Sequence, residues 1–456
     1  MARLPPGASG RAPATRAIAA AQAPNIIYRY RIGIILGITL GVRKRTYCWD
    51  ATIELPQSNI DAAAQANTHR RMRLLRLSLT DFRSYSELTW HPAAPISALF
   101  GPNGSGKTNL LEAISLLVPG RGLRNARISD LPRRGAVGGW AVAGRFATLD
   151  GEADIGTGTV PDGPSDRRVF RLDGSAPRNQ GEIASRVAAV WLTPQMDRLF
   201  QESASGRRRF LDRLVWALEP GHAREIAAYD NAMAQRNRLL ADGRTDAAWL
   251  GGLEDAMARH AVAATAARLA LVARMNSVAA IPGFPVAQMS VACPIADRVA
   301  SAPAVEVEDW LRDSLAAART RDAAAGSTMI GAHRADMLLS DARTGASAAL
   351  ASTGEQKALL VGIILRHAAL IAEARGFAPM LLLDEPAVHL DPDRRAALFA
   401  AMMTLPAQTL ITGTDAETFL PLAGVAEGLR VQGEKLLPDQ RFPQAESTET
   451  PVPGML

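Results

Sequence analysis

Apolar and polar residues alternate through residues 72–80 (Met-Arg-Leu-Leu-Arg-Leu-Ser-Leu-Thr), as they do in a strand with one buried face. A polar turn at residues 81–85 separates this run from a second strand-like run that begins at Ser86. Residues 96–100 (Ile-Ser-Ala-Leu-Phe) predict a short buried strand, and residues 109–117 carry apolar side chains at helical spacing. The pattern therefore predicts two strands joined by a turn, then a buried strand, a loop and a helix.

The loop between that buried strand and that helix is rich in glycine. Residues 101–108 match the phosphate-binding pattern G-x-x-x-x-G-K-[ST] at every fixed position. Glycines let backbone N–H groups close around phosphate oxygens, and the helix N-terminus adds partial positive charge. The expected nucleotide-binding residues are Gly101, Pro102, Asn103, Gly104, Ser105, Gly106, Lys107 and Thr108. Lys107 would contact the β- and γ-phosphates, and Thr108 would hold Mg²⁺.

The same patterns divide the rest of the chain. Strand-like runs continue to residue 192, a helical stretch rich in alanine, leucine and arginine follows, and strands then return. We expect two or three antiparallel helices in this insert, interrupted by the proline-rich residues 281–303. The predicted ranges are 72–203 and 327–438 for the two parts of a head, 204–326 for the helical arm insert, and 439–456 for a disordered tail.

A later apolar strand ends in two carboxylates. Residues 380–384 (Met-Leu-Leu-Leu-Asp) suit a strand that is buried on both faces of a parallel sheet, and Glu385 follows directly. Asp384 would face the Mg²⁺ of a bound nucleotide. Glu385 would orient or deprotonate a water that attacks the γ-phosphate. The alternative, a strand that ends in a solvated acidic turn, loses weight because a phosphate loop is present.

Residues 352–356 (Ser-Thr-Gly-Glu-Gln) precede a long helical run. Ser352 suits the N-cap position, and Glu355 stands where the acid of a capping box would stand. The pattern fits either a well-capped helix or an anion site at a helix N-terminus. Because one phosphate site is already present, a second suggests a nucleotide held between two copies of the chain. Asp391, seven residues after Asp384, fits the same interface or a solvated turn equally well.

Overall charge is weak evidence for a nucleic-acid partner. The isoelectric point is about 9.7, but residues 1–71 hold ten of the 51 Lys and Arg and only three of the 45 Asp and Glu. Residues 72–456 therefore hold 41 basic and 42 acidic residues, which nearly cancel. Two distant cysteines, Cys48 and Cys293, offer no disulfide framework or metal spacing and favour a reducing cytoplasm.

Residues 1–71 form a separate segment that is rich in Ala, Pro and Arg. Its apolar run at residues 32–42 is too short to span a bilayer, and the charges that follow argue against a signal peptide. We expect a disordered extension, of the kind that a start codon assigned too early would add, with a targeting arm as the alternative. Met72 would then begin the natural domain, and no membrane partner is expected.

Local arginine clusters are better indicators of DNA binding than net charge. Five arginines follow the phosphate-loop helix, with Asp130 as the acid among them. They are Arg121, Arg124, Arg127, Arg133 and Arg134. Several guanidinium groups together hold phosphates without reading base sequence, so a DNA-binding loop is predicted, with a solvated basic loop as the alternative. A second run at residues 207–209 could bind DNA or pair with acids within the fold.

Taken together, four motifs and their order along the chain resemble an ATP-binding-cassette head. They are the phosphate loop, the S-x-G-x-Q signature, the Asp-Glu pair and the downstream Leu-Asp. More narrowly, the chain resembles the RecF family of DNA repair proteins over roughly residues 72–435. The matching segments are residues 72–85, 192–200, 207–212, 331–336 and 352–357. The resemblance implies an α/β fold, namely an ABC-type (P-loop) ATPase head with a mixed β-sheet and an inserted α-helical arm domain.

The resemblance also implies a function. It implies a cytoplasmic SMC-like ATPase that forms a homodimer on ATP and binds the single-strand/double-strand junctions of gapped DNA. It further implies work with RecR and RecO to help load RecA. The resemblance also assigns roles to residues within one copy: ATP binding to residues 103–108, Mg²⁺ binding to Thr108 and Asp384, and catalysis to Glu385 with Lys107. It implies that Ser352, Gly354 and Gln356 contact the nucleotide from a second copy. Gln195 would have the glutamine-loop role.

One departure from the cassette pattern concerns hydrolysis. Residues 411–415 (Ile-Thr-Gly-Thr-Asp) contain no histidine where many cassette ATPases have a switch histidine, so we expect slow, DNA-stimulated hydrolysis that serves as a switch. Two alternatives keep the same nucleotide chemistry: an ABC transporter subunit and an SMC-like chromosome-organising ATPase. The insert of roughly 120 residues is longer than transporter subunits usually carry, and it is too short for the long coiled-coil arms of the second class.

Overall fold

The computed structural model describes residues 72–160, 167–243 and 246–443. The predictions for residues 1–71 lie outside the described residues. The strands are β1 (Arg73–Phe82), β2 (Tyr85–Trp90), β3 (Ile96–Phe100), β4 (Ala141–Thr148), β5 (Gly151–Thr159), β6 (Arg168–Leu172), β7 (Ala189–Leu192), β8 (Ala287–Ala292), β9 (Asp336–Asp341), β10 (Met380–Leu383), β11 (Thr409–Gly413), β12 (Ala426–Gln432) and β13 (Lys435–Pro438).

The α-helices alternate with these strands along the chain. They are α1 (Lys107–Leu117), α2 (Gln180–Arg186), α3 (Ala204–Leu218), α4 (His222–Ala241), α5 (Ala247–Ser277), α6 (Pro294–Val299), α7 (Ala304–Ala317), α8 (Arg319–Ala325), α9 (Thr353–Arg375) and α10 (Pro392–Thr404). Within the described ranges, no helix is both long and apolar enough to cross a membrane.

The central sheet is mixed, and its strand order is β13-β12-β3-β11-β10-β7. In this order, every neighbouring pair of strands is parallel except the first. In that pair β13 runs antiparallel to β12. Strands β3, β7 and β10 are buried throughout, as their continuous apolar runs predict. Because the core strands are parallel, the residues that follow β3, β7, β10 and β11 meet at one edge of the sheet.

A second, antiparallel sheet has the order β2-β1-β4-β5-β6. Its strands alternate buried and exposed residues, which is the pattern that predicted the first of them from the sequence. Helix α1 contacts strands of both sheets, so nine of its eleven residues are buried. The helix that follows the glycine loop is therefore held on two sides, and its first turn has a defined position.

The helical insert is more elaborate than the sequence predicts. Helices α3, α4 and α5 are the long antiparallel elements, but α6, α7 and α8 follow them, so the expectation of two or three helices was too low. Strand β8 lies inside the proline-rich residues 281–303 and pairs antiparallel with β9. The prolines at 285 and 294 flank this strand without interrupting it, and Met289 and Val291 face inward. The pairing therefore joins the predicted insert to the predicted second part of the head.

The predicted disordered tail also begins too early. Phe442 is 4% exposed and stacks against Phe100, with ring centroids 6.0 Å apart. Asp439 accepts hydrogen bonds from Arg441 and lies 3.5 Å from Arg430. Residues 439–443 therefore pack on the central sheet, because one aromatic side chain in an otherwise polar stretch is enough to anchor it.

Candidate nucleotide and DNA site

The glycine loop lies between β3 and α1. Gly106 is the N-cap residue of α1 and has φ of 105°, a left-handed conformation that favours glycine. A Cβ at this position would lie 2.7 Å from Tyr85 Oη, so the loop also needs glycine for space. No described side chain caps the N-terminus of α1. The first backbone N–H groups of the helix are thus left for a ligand in the loop.

Lys107 is buried against the loop that precedes it. Its Nζ donates to Gly101 O at 2.7 Å and to Pro102 O at 3.0 Å. Burial lowers the pKa of Lys107, while the nearby carboxylates of Glu385 and Asp384 act in the opposite direction. The ammonium group is therefore held by weak neutral acceptors at the point where phosphate oxygens would offer stronger, charged ones.

Asp384 connects three segments that are distant in sequence. Its Oδ1 accepts hydrogen bonds from Thr108 Oγ1 at 3.0 Å and from Thr412 Oγ1 at 2.8 Å. Its backbone N–H donates to Leu192 O at 2.9 Å, which continues the pairing of β10 with β7. The structure therefore brings together Thr108 and Asp384, the two residues predicted to hold Mg²⁺.

Glu385 follows immediately, in a constrained backbone conformation. Its φ is 49°, and its N–H donates to Thr412 Oγ1 at 2.9 Å. A non-glycine residue in the left-handed region costs energy and persists where surrounding contacts enforce it. Thr412 thus orders both acidic residues at once. Thr412 was not among the residues predicted from the sequence, although a threonine at the end of an apolar strand was a usable signal.

The residues at this edge fit a nucleotide with a divalent cation. Ser105 Oγ is buried and has no hydrogen-bond partner among the described residues, as expected of a group that awaits a ligand. Thr108 and Asp384 supply the oxygen ligands that Mg²⁺ prefers, alongside phosphate. Elsewhere in the described residues, no group of three or more His, Cys, Asp or Glu is arranged to hold a metal.

The signature residues form a complete helix cap. Ser352 is the N-cap residue of α9, and its Oγ accepts from Glu355 N at 3.4 Å, while Glu355 Oε2 accepts from Ser352 N at 2.9 Å. The predicted capping box is therefore confirmed. A Cβ on Gly354 would lie 3.5 Å from His389 O, so this glycine lies against the segment that follows Glu385. Ser352 itself is exposed.

Gln356 is predicted to contact nucleotide from a second copy, and it lies buried within its own fold. It is only 1% exposed, and its Nε2 donates to Ala348 O and Ala351 O, both at 3.1 Å. The amide nitrogen is committed to these backbone carbonyls, whereas Gln356 Oε1 is buried without a hydrogen-bond partner among the described residues. In this arrangement Gln356 fixes the segment that precedes the signature.

Two further predicted residues have defined surroundings. Gln195 is exposed in the 3₁₀ turn Pro194–Arg198, which follows β7 at the same sheet edge as Asp384. Its glutamine-loop role stays a prediction. Asp391 is the N-cap of α10 and accepts from Arg394 N at 2.8 Å. The local role of Asp391 is therefore a helix cap, and half of its side chain remains exposed.

The predicted DNA-binding loop is partly committed to internal ion pairs. Arg124 lies 3.1 Å from Glu112, and Arg133 lies 2.8 Å from Asp81. The sequence-based view that Asp130 alone opposes the cluster was therefore wrong, because acids distant in sequence fold against it. The remaining members are exposed, and they are Arg121, Arg127 and Arg134.

In the second arginine run, pairing within the fold is observed. Arg207 forms two hydrogen bonds with the carboxylate of Asp336, at 2.8 and 2.6 Å. Arg208 donates to Ala335 O at 3.2 Å, and Arg209 is exposed. Two of these three arginines hold α3 against the segment that leads into β9.

A phosphate loop facing an Asp-Glu pair across a parallel sheet, with a capped signature helix, defines an ABC-type ATPase head. The family model described as RecF/RecN/SMC N terminal domain matches residues 73–427. A protein of Mesorhizobium japonicum called "DNA replication and repair protein RecF" is 47% identical over 371 residues, which is 80% of this chain and 97% of that protein. An Agrobacterium fabrum protein of the same name is 45% identical over 366 residues, with 79% and 97% covered. The chain belongs to the RecF family of DNA replication and repair proteins.

Solved structures agree with this fold. One, described as the "recombination mediator protein RecF-ATPrS in RecFOR pathway", aligns with a TM-score of 0.70 at 21% identity and covers 82% of this chain and 99% of that chain. The corresponding RecF-ATP structure aligns with a TM-score of 0.68 at 20% identity, with 81% and 99% covered. Both the predicted family resemblance and the predicted fold class are therefore confirmed.

Proposed function

We propose that this protein is an ATP-gated DNA-binding recombination mediator, in which ATP joins two heads around DNA and hydrolysis releases them. The observation that carries the proposal is Asp384 Oδ1, which accepts hydrogen bonds from both Thr108 and Thr412. This contact ties the phosphate loop to the carboxyl ends of two neighbouring strands. Its location is where a nucleotide's terminal phosphates and their cation would lie in such a head.

Each residue at this edge has a defined chemical part in the proposal. Lys107 would exchange its two carbonyl acceptors for phosphate oxygens, and Thr108 and Asp384 would hold Mg²⁺, which would neutralise phosphate charge. Glu385 orients or deprotonates the attacking water. The hydroxyl of Thr412 already holds Asp384 and the Glu385 backbone, and no histidine lies within residues 411–415. Hydrolysis should therefore be slow, which suits a switch.

The nucleotide site is half of a shared one in this proposal. Ser352 and Gly354 of a second copy would close on the phosphates, because both lie at an accessible helix N-terminus. Gln356 would support these residues from within its own fold. ATP would thereby act as an interfacial ligand of a homodimer.

The DNA contacts are assigned to the exposed arginines Arg121, Arg127 and Arg134. Guanidinium groups that bind phosphates give affinity without base recognition, which suits a protein that recognises a junction between single and double strands. By family, the partners would be RecR and RecO, with RecA loaded as the outcome, and the site of action would be the cytoplasm. The solved relatives described as part of the RecFOR pathway support this assignment.

The test is binding of the purified protein to gapped duplex DNA, with and without ATP, at two salt concentrations. We expect ATP to tighten binding and salt to weaken it steeply, since phosphate contacts release counterions. Fully duplex DNA of the same length is the control for junction preference. Binding that ignores ATP, or no binding at all, would overturn the proposal.

A further inference from the structure

The turn at residues 81–85 contacts the nucleotide loop at one of its ends. Tyr85 Oη donates to Gly106 O at 3.2 Å, and Tyr85 is fully buried. Next to it, Ser84 Oγ accepts from Asn109 Nδ2 at 2.8 Å. This end of the turn therefore touches the last loop glycine and the first turn of α1, where the phosphate-binding residues are.

The other end of the same turn contacts the basic loop. Arg83 N donates to Leu131 O at 2.9 Å, and its guanidinium donates to Asp130 O at 2.7 Å. Asp81 O accepts from Arg133 N at 2.7 Å. Asp81 and Arg83 have φ of 46° and 55°, and such non-glycine conformations persist only where surrounding contacts determine them. The turn is thus a defined link between two loops.

Glu112 lies at the centre of this link. Its side chain is 1% exposed on α1, and it receives two hydrogen bonds from Arg83, both at 2.8 Å. Arg124 contacts the same carboxylate at 3.1 Å and donates to Asn109 Oδ1 at 2.8 Å. Glu112 is buried, whereas the side chains of Arg83 and Arg124 are 20% and 30% exposed. Removing the Glu112 charge would leave both guanidinium groups without the carboxylate that they share.

We propose that residues 81–85 and Glu112 couple the nucleotide loop to the DNA-binding arginines. A shift of the first turn of α1 on ATP binding would reach Asn109 and Glu112, then Arg83 and Arg124, and so the loop that carries the exposed arginines. In this proposal Arg124 acts as a positioning residue through its contacts with Glu112 and Asn109. The inference rests on the proposed function, because it assumes that ATP strengthens DNA binding.

The decisive variant is Glu112→Gln, which keeps the size of the side chain but removes the charge that holds both guanidiniums. DNA affinity is measured with and without ATP, and ATP affinity is measured in the absence of DNA. We expect ATP affinity to change by less than about twofold, and the ATP-dependent gain in DNA affinity to fall about fivefold or more. If Glu112 acted only through its charge, its loss beside a basic loop would instead tighten DNA binding, both with and without ATP.

Arg145→Gln is the matched control. It breaks an ion pair with Asp154 between β4 and β5, at 2.8 Å, which touches none of these residues. This variant should keep the full ATP-dependent gain. Asn109→Ala is a second route to the same loss, since it removes the contacts to Ser84 and Arg124 at a position where alanine suits the helix.

The outcomes separate the two proposals. A folded Glu112→Gln or Asn109→Ala protein that retains the full gain overturns the coupling alone, as does one that binds DNA more tightly in both states. An unaltered protein that shows no gain with ATP overturns the proposed function and the coupling with it. Loss of the gain in both variants, with normal ATP affinity and an unaffected Arg145→Gln control, supports the coupling.

Discussion

The N-termini of α1 and α9 are built in opposite ways. Helix α1 begins after Gly106 in a left-handed conformation, and no described side chain caps it. Helix α9 begins at a complete capping box between Ser352 and Glu355. The first helix leaves its first N–H groups to a ligand, whereas the capping box of the second satisfies the N–H groups of Ser352 and Glu355. The second can offer the Ser352 hydroxyl and the close approach that Gly354 allows.

The two halves of the proposed shared site, the phosphate loop and the signature, therefore have different roles. The phosphate loop is incomplete without a ligand, as the unpartnered Ser105 Oγ also indicates among the described residues. The signature is held by its capping box, and Gln356 Nε2 fixes the segment that precedes it from inside. We expect substitutions in the first half to remove ATP binding, and substitutions in the second half to affect the step that follows it.

The largest expected effect is on ATP affinity, through the phosphate-loop half of the shared site. Lys107→Ala should weaken ATP binding about 100-fold, since it removes a charged donor to phosphate. Fluorescent-nucleotide titration of the monomer measures this. Lys357→Met is the comparison on α9, where a buried lysine pairs with Asp197 at 2.8 Å. It should lower stability and leave ATP affinity within about threefold. Equal losses of ATP affinity in both variants would contradict the distinction.

The next largest expected effect is on dimerisation, through the signature half of the shared site. Ser352→Arg should leave ATP binding in the monomer intact but prevent ATP-driven dimerisation, because a long cation would fill the exposed N-cap position. Light scattering after size-exclusion chromatography, with and without ATP, gives the oligomeric state. Ser301→Arg adds the same side chain at an exposed position in the insert and should dimerise normally. A Ser352→Arg protein that still dimerises would show that the site is not shared.

A smaller expected effect is a pH dependence of stability that arises from α9. Burial lowers the pKa of His367 on α9 to about 3, and its Nε2–H donates to Leu214 O at 2.9 Å. The unfolded chain binds a proton below about pH 6.5 and the folded one does not, so the free energy of unfolding should fall by about 1.4 kcal/mol per unit as pH drops from 6.5 toward 3. Urea unfolding at pH 6.5 and 5.5 tests this. His367→Gln should flatten that slope, and an unchanged slope would refute the assignment.

The smallest effect is on the cap itself. Glu355→Ala removes half of the capping box and should lower the free energy of unfolding slightly, which urea unfolding measures. Glu373→Ala, at the exposed far end of α9, is the control and should be neutral or slightly stabilising, because an acid near a helix C-terminus is unfavourable. If the two variants lose equal stability, the capping contacts contribute nothing measurable.

Local patterns predicted much of this molecule. The strand before the phosphate loop, the capping box and the carboxylate-ended strand all lie where the sequence placed them. Strand β8 was missed because prolines surround it and its partner β9 lies about 45 residues later, so nothing local identifies the pair. Arg124 was assigned to DNA because its partner Glu112 is one of several acids that the sequence alone could not pair with it.

By itself, the sequence determined the phosphate loop, the capped signature helix and the family, because each depends on contiguous residues at fixed spacing. Only the tertiary structure decided which oxygen atoms surround Asp384, since Thr108 is 276 residues away and Thr412 is 28 residues away. It also decided that Gln356 is internal and that the turn at residues 81–85 joins two loops. Side-chain contacts of this kind depend on which strands become neighbours, and that is settled when the parallel sheet packs around α1.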